Sequence, residues 1–239
     1  MFAIARTELV QILRNRSVLV SGLVMPVAAS TYFISFRDTF EEQGSLGYIG
    51  AIIVFTIGAF GLYATTVTTL AARRQTLFLK RLRSTAASDP AILSGLTLPI
   101  SVISLVQVTV MLAVFGAVSG APADVALLAV AVAAAFVMML ALGLATAGLT
   151  RSPEHAQVTA LPLSLGVIVV VTWVGLTGTE QMLLLKRLLP GGSAAELVVD
   201  SWNGGAPRVE SLLLLAPTMA WVVVAVVLAT KLFRWEPRR

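Results

Sequence analysis

Six stretches of this sequence contain no Asp, Glu, Lys, Arg or His at all: residues 17–36, 43–72, 90–123, 125–150, 156–179 and 211–230. Their lengths are 20, 30, 34, 26, 24 and 20 residues, together 154 of 239. A helix needs about 20 residues, at about 1.5 Å each, to cross a hydrocarbon core roughly 30 Å thick. Inside hydrocarbon a chain must satisfy its backbone N–H and C=O groups internally, which leaves only helices and closed barrels. A barrel requires alternation of apolar and polar residues, and these runs are continuously apolar. The sequence therefore predicts an all-α integral membrane protein with six transmembrane helices, at about 18–36, 48–72, 97–118, 125–149, 157–178 and 211–230. With 12% charged residues and a mean hydropathy of +0.91, against about 25% charge in soluble domains, the chain could not clothe a water-facing surface.

The 17 Lys and Arg residues are not spread evenly. With the N-terminus inside, segments 1–16, 73–89, 151–155 and 231–239 carry thirteen of them, and segments 37–42, 119–124 and 180–210 carry four. That bias orients the protein with both termini in the cytoplasm. Nucleic acid, the usual partner of a chain with pI about 10.2, is not expected. There is no cysteine, hence no disulfide and no thiolate metal site. The richness in Ala, Val and Leu correlates with a bacterial cytoplasmic membrane.

The chain reads as one domain, 1–239, with three segments outside the spans. Residues 1–16 form an amphipathic helix, with Phe2, Ala5, Leu9, Ile12 and Leu13 on the apolar face and Thr7, Glu8, Gln11, Arg14 and Asn15 opposite. It reads as an interfacial helix rather than a signal peptide, because charges lie within it. Residues 73–89 form a cytoplasmic loop. Residues 180–210 form an outer segment with two short helices, about 181–189 and 193–202, broken at Pro190, Gly191 and Gly192 and lying on or dipping into the membrane. Pro26 predicts a kink in the first span. Gly116 with Gly120, and Gly143 with Ala147, are small residues four apart that permit close helix packing. Trp235 and the basic tail anchor the inner interface.

Catalytic chemistry finds no support. The single His155 has no partner at metal or triad spacing. Ser193 lacks a nucleophile-elbow pattern and lies across the membrane from His155. No phosphate-binding GxxxxGK[ST] occurs. No span carries an Asp, Glu, Lys, Arg or His in its interior, whereas proton- and ion-coupled carriers place such groups near the midplane. A secondary carrier, a membrane scaffold and a membrane enzyme are thus the rival readings. If cargo moves uphill, the energy comes from a cytoplasmic partner.

The place for such a partner is "ARRQTLFLKRLRSTAASDP" (71–89), with Arg73, Arg74, Lys80, Arg81 and Arg83 within eleven residues. On a helical wheel Gln75, Phe78, Leu79, Leu82 and Ala86 share one arc, and Leu77 stands alone among the charges. Leu77 is the candidate contact to a protein; a basic helix on anionic lipid is the alternative.

Residues 73–95 resemble the first cytoplasmic loop of the type-2 ABC-transporter permeases. In that family two basic residues precede an acidic or amide residue, then Thr-Gly-x-Leu-Lys-Arg-Leu-Arg, a small residue and Thr-Pro. Arg73, Arg74, Gln75, Thr76, Leu79, Lys80, Arg81, Leu82, Arg83 and Thr85 sit at matching places; Leu77 replaces the Gly and Ala86 the Pro. The interfacial helix, the six spans and the short outer helices between the last two also resemble the family. The resemblance implies a coupling helix, Arg74 to Arg83 with Thr85, that docks into a separate cytoplasmic ABC ATPase subunit. It implies ATP and Mg on that subunit rather than on this chain, and a second permease copy or a homologous permease as partner. It also implies an exporter whose pathway lies between copies, along the first, second and fifth spans, where Thr65, Thr69, Thr159 and Trp173 are the nominated lining residues. A pathway without charge suits a hydrophobic or amphipathic cargo such as a drug, antibiotic or lipid.

Overall fold

The computed structural model describes residues 2–84, 87–179, 181–233 and 235. Among these every regular element is helical. An amphipathic α1 (Phe2–Arg14) precedes α2 (residues 16–35), the short α3 (Arg37–Gln43) and the long α4 (Leu46–Gln75). Then come α5 (Phe78–Arg83), α6 (Asp89–Ser119), α7 (Val125–Leu149) and α8 (Pro153–Thr177). Two short helices, α9 (Leu183–Leu188) and α10 (Gly192–Asn203), lead to α11 (Arg208–Leu232).

Five helices, α4, α6, α7, α8 and α11, are long and apolar enough to cross a membrane; the apolar part of α2, Val20–Ser35, is shorter. Their exteriors match that environment. On α6, Val102, Val106, Val110, Val114 and Val118 recur at every fourth residue and are all exposed, an apolar stripe that only lipid or another protein can cover.

α4 is the post around which the others stand. In its most apolar stretch 89% is buried against other helices, compared with 39% for α6, 33% for α8 and 17% for α11. Helices α2, α6, α7, α8 and α10 all pack on it. Burial this complete demands close backbone approach, supplied by small residues. A Cβ on Gly143 of α7 would lie 3.2 Å from Thr66, and one on Gly47 would lie 2.8 Å from the Val199 backbone of α10. The expected Gly143–Ala147 packing face therefore exists. The Gly116–Gly120 one does not: a Cβ on Gly120 would meet nothing within 4 Å, and Gly120 instead ends α6 with φ of 97°.

Two helices widen into π turns, Val20–Val24 in α2 and Ile57–Ala64 in α4. The first lies just before Pro26, where the sequence predicts a kink. Proline has no N–H to give the preceding turn, and the Met25 N–H reaches back to Val20. The two π turns face each other across Gly22 and Gly61, so close that a Cβ on Gly22 would meet Thr65 Oγ1 at 2.7 Å. Gln107 of α6, buried in mid-helix, donates to the Leu23 carbonyl within this region.

The third long helix begins at Asp89, well before the expected 97. Pro90 fits the first helical turn, where its missing N–H costs nothing, and Asp89 favours the positive helix start. The turn so gained buries Ile92 and Leu96.

Polar groups collect at the two ends of the bundle. At one end Ser45 caps α4, and Asn203 binds both Gly47 N–H and Ser45 Oγ. Asp124 caps α7 through Leu127 N–H and pairs with Arg208. These contacts hold its carboxyl below the usual range. α10 sits at this end, buried from Gly192 to Val198, with Trp202 stacked on Phe115 at 4.6 Å. Arg187 forms two bonds to Glu196, and the buried Lys186 lies 5.0 Å over Trp173. The two short helices thus exist where the sequence places them, and α10 is packed into protein. α1, α5 and the last described residues occupy the opposite end.

Gly47→Ala is expected to lower thermal stability in detergent by about 1–3 kcal/mol, since the α10 backbone must shift to admit the methyl group. Gly166→Ala, in mid-helix with nothing within 4 Å, is the control expected to keep stability or raise it by up to about 1 kcal/mol.

Candidate functional site

The basic segment after α4 does not continue as one helix. It breaks at Thr76 and Leu77 and restarts as the six-residue α5. Thr76 Oγ1 folds back on the Ala72 and Arg73 carbonyls. Leu77 adopts φ 58°, ψ 13°, the left-handed region that glycine enters freely. Leucine does so at a cost of roughly 1–2 kcal/mol. The loop keeps the glycine-type turn and carries a side chain on it. Leu77 N–H bonds to the Arg74 carbonyl, and Arg81 N–H and Nη2 bond to the Leu77 and Thr76 carbonyls. These bonds hold the conformation in place.

This break corrects the single wheel drawn from 75 to 86. Gln75 belongs to α4 and is exposed, so it does not share a stripe with Phe78, Leu79 and Leu82. Those three face inward, Leu79 completely, onto Leu70, Ile92, Leu96 and Ala147. Thr85 and Ala86 lie outside the described residues. The exposed face consists of Thr76, Leu77 at 45% exposure, Lys80, Arg81 and Arg83.

Two of the basic residues serve the interior instead. Arg74 is 1% exposed. Its guanidinium donates to the Ala147 carbonyl at 3.0 Å and to the Thr150 carbonyl. A cation thereby satisfies the unpaired carbonyls at the negative end of α7. Arg73 forms a two-pronged pair with Glu8, at 3.0 and 2.9 Å, and its guanidinium lies 5.7 Å over the Phe78 ring. Glu8 is 2% exposed. α1 therefore turns Glu8 and Ile12 toward the protein and leaves Leu9 and Val10 outward, which rotates it from the expected orientation. The side chains of Phe2 and Leu13 lie outside the described residues. An amphipathic wheel has no means of foreseeing that a carboxylate will be drawn inward by an arginine sixty-five residues away.

The chain's end closes this site from the side. Arg83 pairs with Asp89 and lies 5.2 Å over Trp235. Trp235 packs edge-on to Phe233. Trp235 thus sits beside α5, where the sequence placed it only as an interface anchor.

The residues nominated for a pathway are not gathered together. Thr65 and Thr69 are buried in α4. Thr159 Oγ1 bonds back to the His155 carbonyl within α8. Trp173 lies at the other end under Lys186. Thr65 alone opens onto a groove of about 220 Å³ between α2, α4 and α8. Its other polar lining residues are Ser21, Thr68, Gln157 and Ser164, which the sequence did not single out. The signal was available as hydroxyls and an amide inside uncharged runs. Elsewhere, His155 is exposed with Nδ1 3.0 Å from Ser152 Oγ, and Ser193 Oγ is 2.9 Å from Thr218 Oγ1. Among the described residues no group of three His, Cys, Asp or Glu side chains could hold a metal ion.

Among known proteins, the profile of the ABC-2 type transporter family matches residues 1–176. The match runs from α1 through nearly all of α8 and includes the broken basic segment. The chain belongs to the ABC-2 type transporter family. No curated protein and no solved structure matches it significantly. Family membership makes it a multi-pass membrane protein and the permease subunit of an ABC transporter, lacking the ATPase site itself. Permeases of the ABC-2 family normally work with an ABC ATPase subunit.

The left-handed turn offers a direct check. Leu77→Gly or Leu77→Asn is expected to leave folding intact or slightly improved. Leu77→Val, whose branched Cβ tolerates positive φ least, is expected to lower stability by about 1–2 kcal/mol, measured by thermal unfolding of the purified protein.

Proposed function

We propose that this ABC-2 permease exports a hydrophobic or amphipathic compound (a drug, antibiotic or lipid) across a bacterial cytoplasmic membrane. A separate ABC ATPase, carrying ATP and Mg, drives it. In this reading α2, lengthened by Arg16–Leu19, makes the sixth crossing. The α5 end faces the cytoplasm with both chain ends, and the α10 end faces outside. The charge bias of the sequence supports that sidedness.

The observation that carries the reading is the form of the basic segment. An exposed Leu77 is held on a left-handed turn and flanked by Lys80, Arg81 and Arg83, directly after the central helix. A surface built this way offers an apolar contact within a charged rim to a protein groove. Only Thr76 and Leu77 separate α5 from α4, and Arg73 and Arg74 tie the same point to α1 and α7. Displacement of α5 by a moving ATPase would therefore reach three helices at once.

Two copies, or this chain with a homologous permease, would complete the transporter. Cargo would travel along the groove between α2, α4 and α8, where the π turns lie and where Ser21, Thr65, Thr68, Gln157 and Ser164 supply polarity without charge. π turns often occur at functional sites. Thr69 and Trp173, which do not line this groove, lie off the path in this reading.

Co-purification with the partner ATPase tests the docking surface. Leu77, Arg81 and Arg83 changed together to Asp should abolish it while leaving the membrane-inserted protein intact. Retention of the ATPase by that variant would refute the role given to α5.

A further inference from the structure

α6 and α7 both pack on α4 but leave a second seam between them toward the α10 end. It encloses about 440 Å³, and its walls include Leu105, Leu112, Ala113, Ala129 and Ala133, with Trp202 at the end. It carries a single hydroxyl, where the groove between α2 and α8 carries four hydroxyls and an amide. The hydroxyl in its lining, Thr109, is already bonded to the Leu105 carbonyl at 2.8 Å. The space is nearly three times that of a cavity of about 150 Å³ that takes up benzene. That volume is little more than that of a single turn of a helix about 10–12 Å across. An extended hydrocarbon chain fits it.

The rim supplies the other half of a lipid site. The seam closes at Ala121, Pro122 and Val125, and between them stands Asp124, which holds Arg208 through its Nε. The Arg208 side chain remains 76% exposed. A cation fixed at the mouth of an apolar slot complements a phosphate attached to an acyl chain. Ala123 and Asp124 N–H groups are bonded to the Trp202 and Ser201 carbonyls, so the mouth and the slot's end form one rigid unit.

We infer that the seam between α6 and α7 binds one phospholipid, its acyl chain in the slot against Trp202 and its phosphate on Arg208. The site is a resident lipid site, separate from the groove proposed for cargo. It rests on the membrane reading but not on sidedness or on the direction of transport.

Trp202 is 4% exposed, so lipid reaches its ring closely only from within the seam, which makes it an internal reporter. The full chain with Trp173, Trp221 and Trp235 changed to Phe is placed in nanodiscs of phosphatidylglycerol, plain or brominated along the acyl chains. Bromine should quench Trp202 strongly. Filling the slot with Ala129→Phe, or from the facing wall with Ala113→Leu, should remove at least half of that quenching. In native mass spectrometry of the otherwise unaltered chain, a phosphatidylglycerol adduct should be retained and should fall several-fold in Arg208→Gln. Equal Trp202 emission in plain and brominated lipid would overturn the proposal, as would quenching that persists unchanged in both filled variants. Disulfide cross-linking of two chains through Ala129→Cys would also overturn it, because a second copy would then cover the seam.

Discussion

The arrangement depends on hiding α4 from lipid. A bilayer gives helices no hydrophobic reason to associate, since lipid tails are as apolar as leucine; what remains is close packing and polar contact. α4 uses both. Its Gly61 and Gly47 admit α2 and α10 to near-backbone distance, and Gly143 does the same from the side of α7. Its terminal polar groups bind Asn203 at one end and, through Arg73 and Arg74, α1 and α7 at the other. Helices around such a post need not pack continuously on one another. Two longitudinal seams result, both lined mainly by apolar side chains, one of them carrying four hydroxyls and an amide.

The charged segment after α4 divides its labour by position. Arg73 and Arg74, still on α4, point into the protein and are consumed by Glu8 and by the end of α7. Lys80, Arg81 and Arg83, beyond the break, remain at the surface. The buried members fix the base on which the exposed ones stand. Arginine suits this task better than lysine, having several donors in a rigid fork and a charge that survives burial.

Much of the fold was legible because hydrocarbon imposes a simple rule. Uncharged runs became helices, and the two short helices before α11 lie close to the predicted residues. The failures have a common origin. The wheel over 75–86 assumed one helix axis, and a left-handed residue ended that axis. α1 was oriented by its own amphipathicity, and a distant arginine reoriented it. α6 was started eight residues late because hydropathy alone does not register a proline and an aspartate suited to a helix start.

By itself, the sequence determined that the chain is helical and apolar, the approximate extent of its five long apolar helices, the clustering of charge at their ends and the resemblance to the family. These are one-dimensional properties, set by transfer free energy and by charge along the chain. Tertiary structure alone decided which helix became the central post, which cations went inward, and which polar residues line a groove. Those outcomes depend on contacts between residues far apart in sequence, such as Glu8 with Arg73, Gly22 with Thr65 and Asp124 with Arg208. No local pattern encodes which partner a buried charge or a glycine will meet.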